Sequence, residues 1–249
     1  MASFNFKDGL FYSEPERVCG TSQPGNFPVE NRRRLIVAKK LSPAQRMPLV
    51  QWAIRNNFDT IVFPLRDAST WNWLKTSGAM AKLVEQNGIA IEAGGWEISL
   101  LLPRRLFLFN PELFRMDYGK RTPKHHFCPT NPKTIEIIKK NAAKMFQWAA
   151  EKMPASSRKA ASPHDAAEGA APVFHLWPDY SHEKTWCSCP ACRAFSPHEQ
   201  NRIAVNSAAD VLERLFPHAK LSCFDLAQEA GGIKLRENVF TLNPCLSQG

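Results

Sequence analysis

The chain has 249 residues, 44% of them hydrophobic and 22% charged, which describes an ordinary globular protein long enough to bury one substantial core. Its formal net charge of +9 invites a nucleic-acid partner, yet the basic residues fall in short groups (Arg32 to Arg34, Arg104 and Arg105, Lys120 to Lys124, Lys139 and Lys140) rather than one stripe, which argues against that partner. No apolar run approaches membrane-spanning length, and the opening MASFNFKDGLFYSEPERV lacks the regions of a secretory signal, so a cytoplasmic protein that does not enter a membrane is expected.

In chain order, residues 1–30 show no clear periodicity and read as an irregular N-terminal segment. RRLIVAKK (33–40) is the first strand. Ser42, Pro43 and Gln45 supply an N-cap, a first-turn proline and a capping-box partner for a helix that buries Leu49, Val50, Ala53 and Ile54. DTIVFPLR (59–66) is the second strand, and one helical region from about Ser69 to Asn87 follows, ended by Gly88. IAIEAGG (89–95) is the third strand. A long loop, 96–129, then carries Trp96, Glu97, several Phe, Tyr118, Arg121, His125 and His126, and Thr130-Asn131-Pro132 opens another helix.

Residues 154–172, rich in Ala, Ser and Pro, read as a mobile surface insert. The fourth strand begins at Val173 and runs through Trp177 to Pro178 and Asp179. Ser196-Pro197-His198-Glu199 repeats the capping-box start, with Ala204, Ala208, Val211 and Leu212 on the buried face of its helix, and strands at 220–227 and 238–244 close the series. Strands alternating with helices and separated by long loops predict one α/β domain over 1–249, a (β/α) TIM-like barrel. Six strands fall short of the eight that closure needs, so an incomplete or irregular barrel is expected. No Gly-rich phosphate loop supports a doubly wound sheet, and no organic cofactor is signalled.

The chemistry concentrates where the fourth strand meets its loop, because barrels place reacting groups just past strand ends. Asp179 is the first candidate there, followed by C-x-C-x-x-C: Cys187, Cys189 and Cys192. Tetrahedral Zn²⁺ takes four N or S donors, and closely spaced cysteines commonly give two or three. His182 is the nearest fourth donor in sequence, and His175, Cys128 or Cys223 can arrive through the fold. A structural zinc competes here with redox chemistry, a disulfide, and reduced cysteines that only pack a loop. Scattered single cysteines elsewhere suit a reducing compartment.

The succession IEAGGWEISLLLP, NPELF, GKR, FCPTNPK, WPDYS and CSCPAC resembles a bacterial glycoside-hydrolase-like barrel family near the α-glucuronidases, over roughly residues 89–245. The resemblance implies a TIM-like barrel acting on carbohydrate, and it matches Glu92, Asp179 and the cysteine cluster to family positions. The chain departs from the family where a His follows the paired glycines, since Trp96 stands there. Most glycosidases use two carboxyl groups, so Asp179 is expected as general acid and Glu92 as base or nucleophile, with Asp67 and Asp225 in reserve. Trp96, Trp177 and Tyr180 offer aromatic faces, and Glu97, Arg121, His125 and Asp225 polar groups, for binding a sugar substrate. The alternative is a non-catalytic carbohydrate-binding barrel with a structural zinc and cysteine loop.

Overall fold

The computed structural model describes residues 32–37, 40–95, 98–153, 172–178, 185–224 and 232–242, and the backbone of 10–13. The chain divides into two compact units: Met1–Gly95 with Trp148–His175 and Leu242–Gly249, and Trp96–Gln147 with Leu176–Thr241.

In the first unit, β1 (Leu10–Ser13), β2 (Arg34–Val37), β3 (Thr60–Phe63) and β4 (Ala90–Gly95) lie side by side. β2, β3 and β4 are parallel, with Ile36 opposite Val62 and Val62 opposite Glu92. Leu35 to Val37 and Ile61 to Phe63 are buried on both faces, as strands of a covered parallel sheet must be. β1 pairs antiparallel to β2 along Leu10–Ser13, so the N-terminal segment holds a regular strand where irregular chain was expected. Four residues without clear alternation give no period to read, and the strand is defined by its long-range partner.

Helix α1 (Pro43–Arg55) starts as its capping chemistry dictates, with Gln45 Oε1 accepting the Ser42 N–H at 2.9 Å. It buries Leu49, Val50 and Ala53 completely, each large side chain worth about 1.5–3 kcal/mol. The helical region expected over 69–87 is two helices, α2 (Ala68–Thr76) and α3 (Gly78–Gln86). Ser77 breaks it: its backbone is extended (ψ 96°) and its Oγ accepts the Met80 N–H at 3.2 Å, so it ends one helix and caps the next.

β4 finishes on Gly94 and Gly95, at φ 133° and 140°. A Cβ on Gly94 would lie 2.0 Å from the His175 carbonyl oxygen, so only glycine lets the two backbones approach. His175 sits on β7 (Val173–Leu176), the strand next to β4 in the sheet.

In the second unit, three short 3-10 turns (Ile98–Leu101, Arg104–Leu108, Pro111–Leu113) lead to a hairpin of β5 (Met116–Asp117) and β6 (Lys120–Arg121). Helix α4 (Pro132–Lys152) follows, burying Ile138, Ala142 and Phe146. Helix α5 (Pro197–Leu215) carries a complete capping box, Ser196 N–H to Glu199 Oε2 at 2.9 Å and Glu199 N–H to Ser196 Oγ at 3.2 Å. β8 (Lys220–Cys223) and β9 (Val239–Thr241) pair in parallel. The hydrogen-bonded order among the described residues is β1-β2-β3-β4-β7-β8-β9. The six predicted strands recur as β2, β3, β4, β7, β8 and β9, in an α/β architecture of parallel strands and intervening helices. The insert at 154–171 lies outside the described residues.

Candidate functional site

Two polar centres stand out, one in each unit. The first is built on Glu92, in the middle of β4 and only 2% exposed. Side chains alternate across a strand, and the register puts Glu92 on the same sheet face as Val62 and Ile36, with Arg34 two residues before Ile36 on that face. Arg34 reaches across with Nε 2.7 Å from Oε2 and Nη2 3.3 Å from Oε1. Arg32 Nη1 lies 3.5 Å from Oε1, and His175 Nε2 lies 2.9 Å from Oε2. Burial alone raises a carboxyl pKa, but the Arg34 charge and the His175 hydrogen bond overcome it and hold Glu92 at about 2. Burial holds His175 below its ordinary range, more strongly than Glu92 raises it, so the ring is neutral and donates Nε2–H to the carboxylate. Glu92 is therefore always ionised near neutral pH and acts as an acceptor or a fixed negative charge, never as a proton donor.

Asp67, held in reserve as a carboxylate, is the N-cap of α2. It accepts from Thr70 Oγ1 at 2.6 Å, Ser69 Oγ at 2.8 Å and Thr70 N–H at 3.3 Å. Its bonds serve the helix start.

The second centre is a four-sulfur knot. Cys187, Cys189 and Cys192 are joined by Cys128, and the four buried sulfurs all lie within 4.8 Å of one another. Cys128 Sγ is 3.7 Å from both Cys189 Sγ and Cys192 Sγ. Four thiolates about 2.3 Å from one tetrahedral ion stand about 3.8 Å apart, close to both Cys128 distances, so the donor set suits a tetrahedral metal. Crowded thiols share one proton balance: hydrogen bonding with Cys187 and Cys192 pushes Cys128 down, while the bond to Cys128 pushes Cys192 up and Cys187 up to about 11. A cation would remove that conflict by displacing the protons.

The knot is held by polar neighbours. The Met116 N–H donates to Cys187 Sγ at 3.2 Å, Arg121 Nη1 lies 3.7 Å from the same sulfur, and Thr130 Oγ1 lies 3.1 Å from Cys192 Sγ. Gln200, in the first turn of α5, accepts the Cys187 N–H at 3.0 Å. Its Nε2 donates to the carbonyls of Cys187, Cys192 and Phe195 at 3.0–3.2 Å. Sequence reasoning missed Gln200, and no local signal marks it, because its partners precede the helix it begins. Of the fourth donors that the sequence left open, Cys128 is the one brought to the C-x-C-x-x-C run, while His175 lies against Glu92.

The expected sugar-binding residues divide. Trp177 is fully buried, its Nε1–H donates to Ser222 Oγ at 3.0 Å, and it stacks on Phe224 at 4.3 Å between centroids. It is a core residue with no free face for a ligand. Arg121 faces inward, with Nη1 2.6 Å from the Phe114 carbonyl oxygen and against Cys187, so it serves the knot. His125 is exposed, at φ 61°, and its carbonyl accepts from Arg104. Trp96, Glu97, Asp179, Tyr180, His182 and Asp225 lie outside the described residues.

Neither the protein-family models nor the curated proteins include a match to this chain. Solved structures do match. Two describe the pneumococcal exo-β-D-N-acetylglucosaminidase StrH, one of them its tandem GH20 catalytic modules, with TM-scores of 0.50 and 0.52 at 9% identity. Each alignment covers 82% of this chain, which spans 56% and 55% of the matched chains. A β-N-acetylhexosaminidase from Bacteroides fragilis matches at TM-score 0.43 and 14% identity, over 81% of this chain and 41% of that one. At such identities the likeness speaks for architecture alone, and the architecture is the α/β TIM-like barrel that glycoside hydrolases share, here incomplete or irregular among the described residues.

Proposed function

We propose that this chain is a glycosidase-type barrel that acts on a carbohydrate, with Asp179 as general acid and Glu92 as the ionised carboxylate. The observation that supports the reading best is Glu92 itself, kept charged inside the sheet of a fold that glycoside hydrolases use. In a two-carboxylate mechanism one group protonates the leaving oxygen and the other acts charged, as nucleophile or base. A carboxyl held at about 2 suits only the second role, and Asp179, two residues past Trp177, is left for the first. A panel of aryl glycosides, with glucuronides included because of the family resemblance, tests it. Asp179→Asn is expected to lower turnover by about 10²–10⁴-fold without loss of fold. Undiminished turnover in that variant removes Asp179 from the mechanism.

One observation favours a second reading, a non-catalytic carbohydrate-binding barrel. Arg34 opens β2 and Arg32 precedes it, so the two arginines that pair with Glu92 come from the N-terminal side of that strand, whereas barrels react at the opposite ends. Tryptophan-fluorescence shifts on sugar addition, with no turnover of any glycoside, are the outcome that reading expects.

The four-cysteine knot is read as a structural Zn²⁺ site, since tetrahedral sites closed by four cysteines, with no open position, are structural rather than catalytic. Cys189→Ser is expected to lower both the zinc content of the purified protein and its melting temperature. A wild type that purifies without stoichiometric metal and does not take up zinc refutes the site.

A further inference from the structure

The hairpin of β5 and β6 turns through two residues, Tyr118 and Gly119, at φ 44° and φ 79°. Two positive φ values in succession belong to the tight hairpin turns that Asn-Gly ordinarily fills. A tyrosine in the left-handed region is strained, and such strain persists where the surroundings impose it and gathers at ligand clamps. The side chain does not repay the strain by packing: Tyr118 is 85% exposed.

Both strands that flank the turn are tied to the cysteine knot. Met116, the first residue of β5, gives its N–H to Cys187 Sγ, and its carbonyl accepts from Ser188 N–H at 2.9 Å and Ser188 Oγ at 2.8 Å. Arg121, the last residue of β6, lies against the same sulfur. Arg115, just before the hairpin, is buried and ties Asp117 at 2.9 Å and the Lys124 and Trp186 carbonyls at 3.1 and 3.4 Å. A two-residue turn is thus anchored on both strands, and its tip carries a bare aromatic ring beside the exposed Lys120. In chain order the hairpin lies in the segment between β4 and α4.

We propose that Tyr118 is a carbohydrate-stacking platform and that the cysteine knot exists to hold it in place, so that metal occupancy sets sugar affinity. The ring offers its face to the apolar face of a pyranose, and the Lys120 ammonium offers a donor to ring hydroxyls or an acidic substituent. This inference rests on the carbohydrate reading above and deepens it.

Titration calorimetry with chitooligosaccharides, cellooligosaccharides and glucuronoxylan fragments tests it on the full chain. Tyr118→Ala is expected to weaken the best of these ligands about tenfold, and Tyr118→Phe to keep affinity near that of the wild type. Tyr118→Gly separates binding from folding: glycine relieves the left-handed strain, so its melting temperature holds or rises while affinity falls as in Tyr118→Ala. Stripping metal with a chelator is expected to lower wild-type affinity to the level of Tyr118→Ala and to leave the affinity of Tyr118→Ala unchanged. Oligosaccharide binding that is the same in wild type and Tyr118→Gly overturns the platform and leaves the carbohydrate reading standing. A wild type that binds none of the three ligand classes overturns both.

Discussion

At the scale of single residues, the Glu92 cluster makes a prediction that does not depend on catalysis. Arg34 is fully buried and its guanidinium is paired with Glu92, so Glu92→Gln removes a buried counter-charge beside it. Breaking a buried pair from one side costs about 3–5 kcal/mol. The pH dependence has a definite sign. Glu92 titrates at about 2 in the folded chain against an ordinary 4.5, so its stabilisation is complete above pH 4.5 and is lost as pH falls towards 2. His175, depressed by burial below its ordinary 6.5, adds a loss of its own as the unfolded chain takes up a proton below that pH. Thermal unfolding of wild type and Glu92→Gln between pH 7 and 2 is therefore expected to show a gap that is wide at neutral pH and narrows below 4.5. A gap that stays constant down to pH 2 would mean that Glu92 titrates alike in both states. If Glu92→Gln unfolds early yet its folded fraction turns over substrate normally, Glu92 is a strut between strands and not a reacting group.

At the scale of elements, the knot depends on a helix start. Gln200 places one side chain on four backbone groups of the cysteine loop, and all of them lose a partner in Gln200→Ala. With net values near 1 kcal/mol per bond, the variant is expected to lose about 2–4 kcal/mol and to bind zinc about 10–100-fold more weakly, read by competition with a chromogenic chelator. Unchanged zinc affinity would show that the loop holds its shape without the helix. Elements were legible in the sequence where their causes are local. Ser42 with Gln45 and Ser196 with Glu199 are capping boxes within one turn, and the strands declared themselves as short apolar runs between such signals. The break at Ser77 was hidden because the apolar pattern continues through it, although the Ser-Gly pair that causes it is plain in the sequence. The polar centres were half legible. Glu92 and three cysteines could be named and Cys128 weighed among several fourth donors, but Arg34 and His175 lie 58 and 83 residues from Glu92, and Cys128 lies 61 from Cys189, so no spacing chose these partners. Pairings that the sheet and the loops create carry no local signature. Arg121 and Trp177 show the same limit: residue type suggests a surface role, and packing turns both side chains inward.

At the scale of the whole chain, each compact unit contains its own polar centre, the Glu92 cluster in one and the cysteine knot in the other. If the knot holds the zinc proposed above, their stabilities answer to different variables, protons for the first and metal for the second. Metal that binds the folded form alone stabilises the region that folds around it, and its loss lowers the free energy of local opening there first. Removing metal with a chelator at neutral pH is accordingly expected to raise amide exchange in the hairpin, around Cys128 and in 185–200, while the amides of β2, β3 and β4 keep their protection. Lowering the pH towards 2 in the metal-loaded protein is expected to reach the strands around Glu92, and the cysteine segments as well once their thiolates take up protons. Hydrogen exchange read segment by segment distinguishes these patterns. An equal rise in both units on chelation alone would mean that the chain opens as one cooperative body and that the knot supports the whole of it.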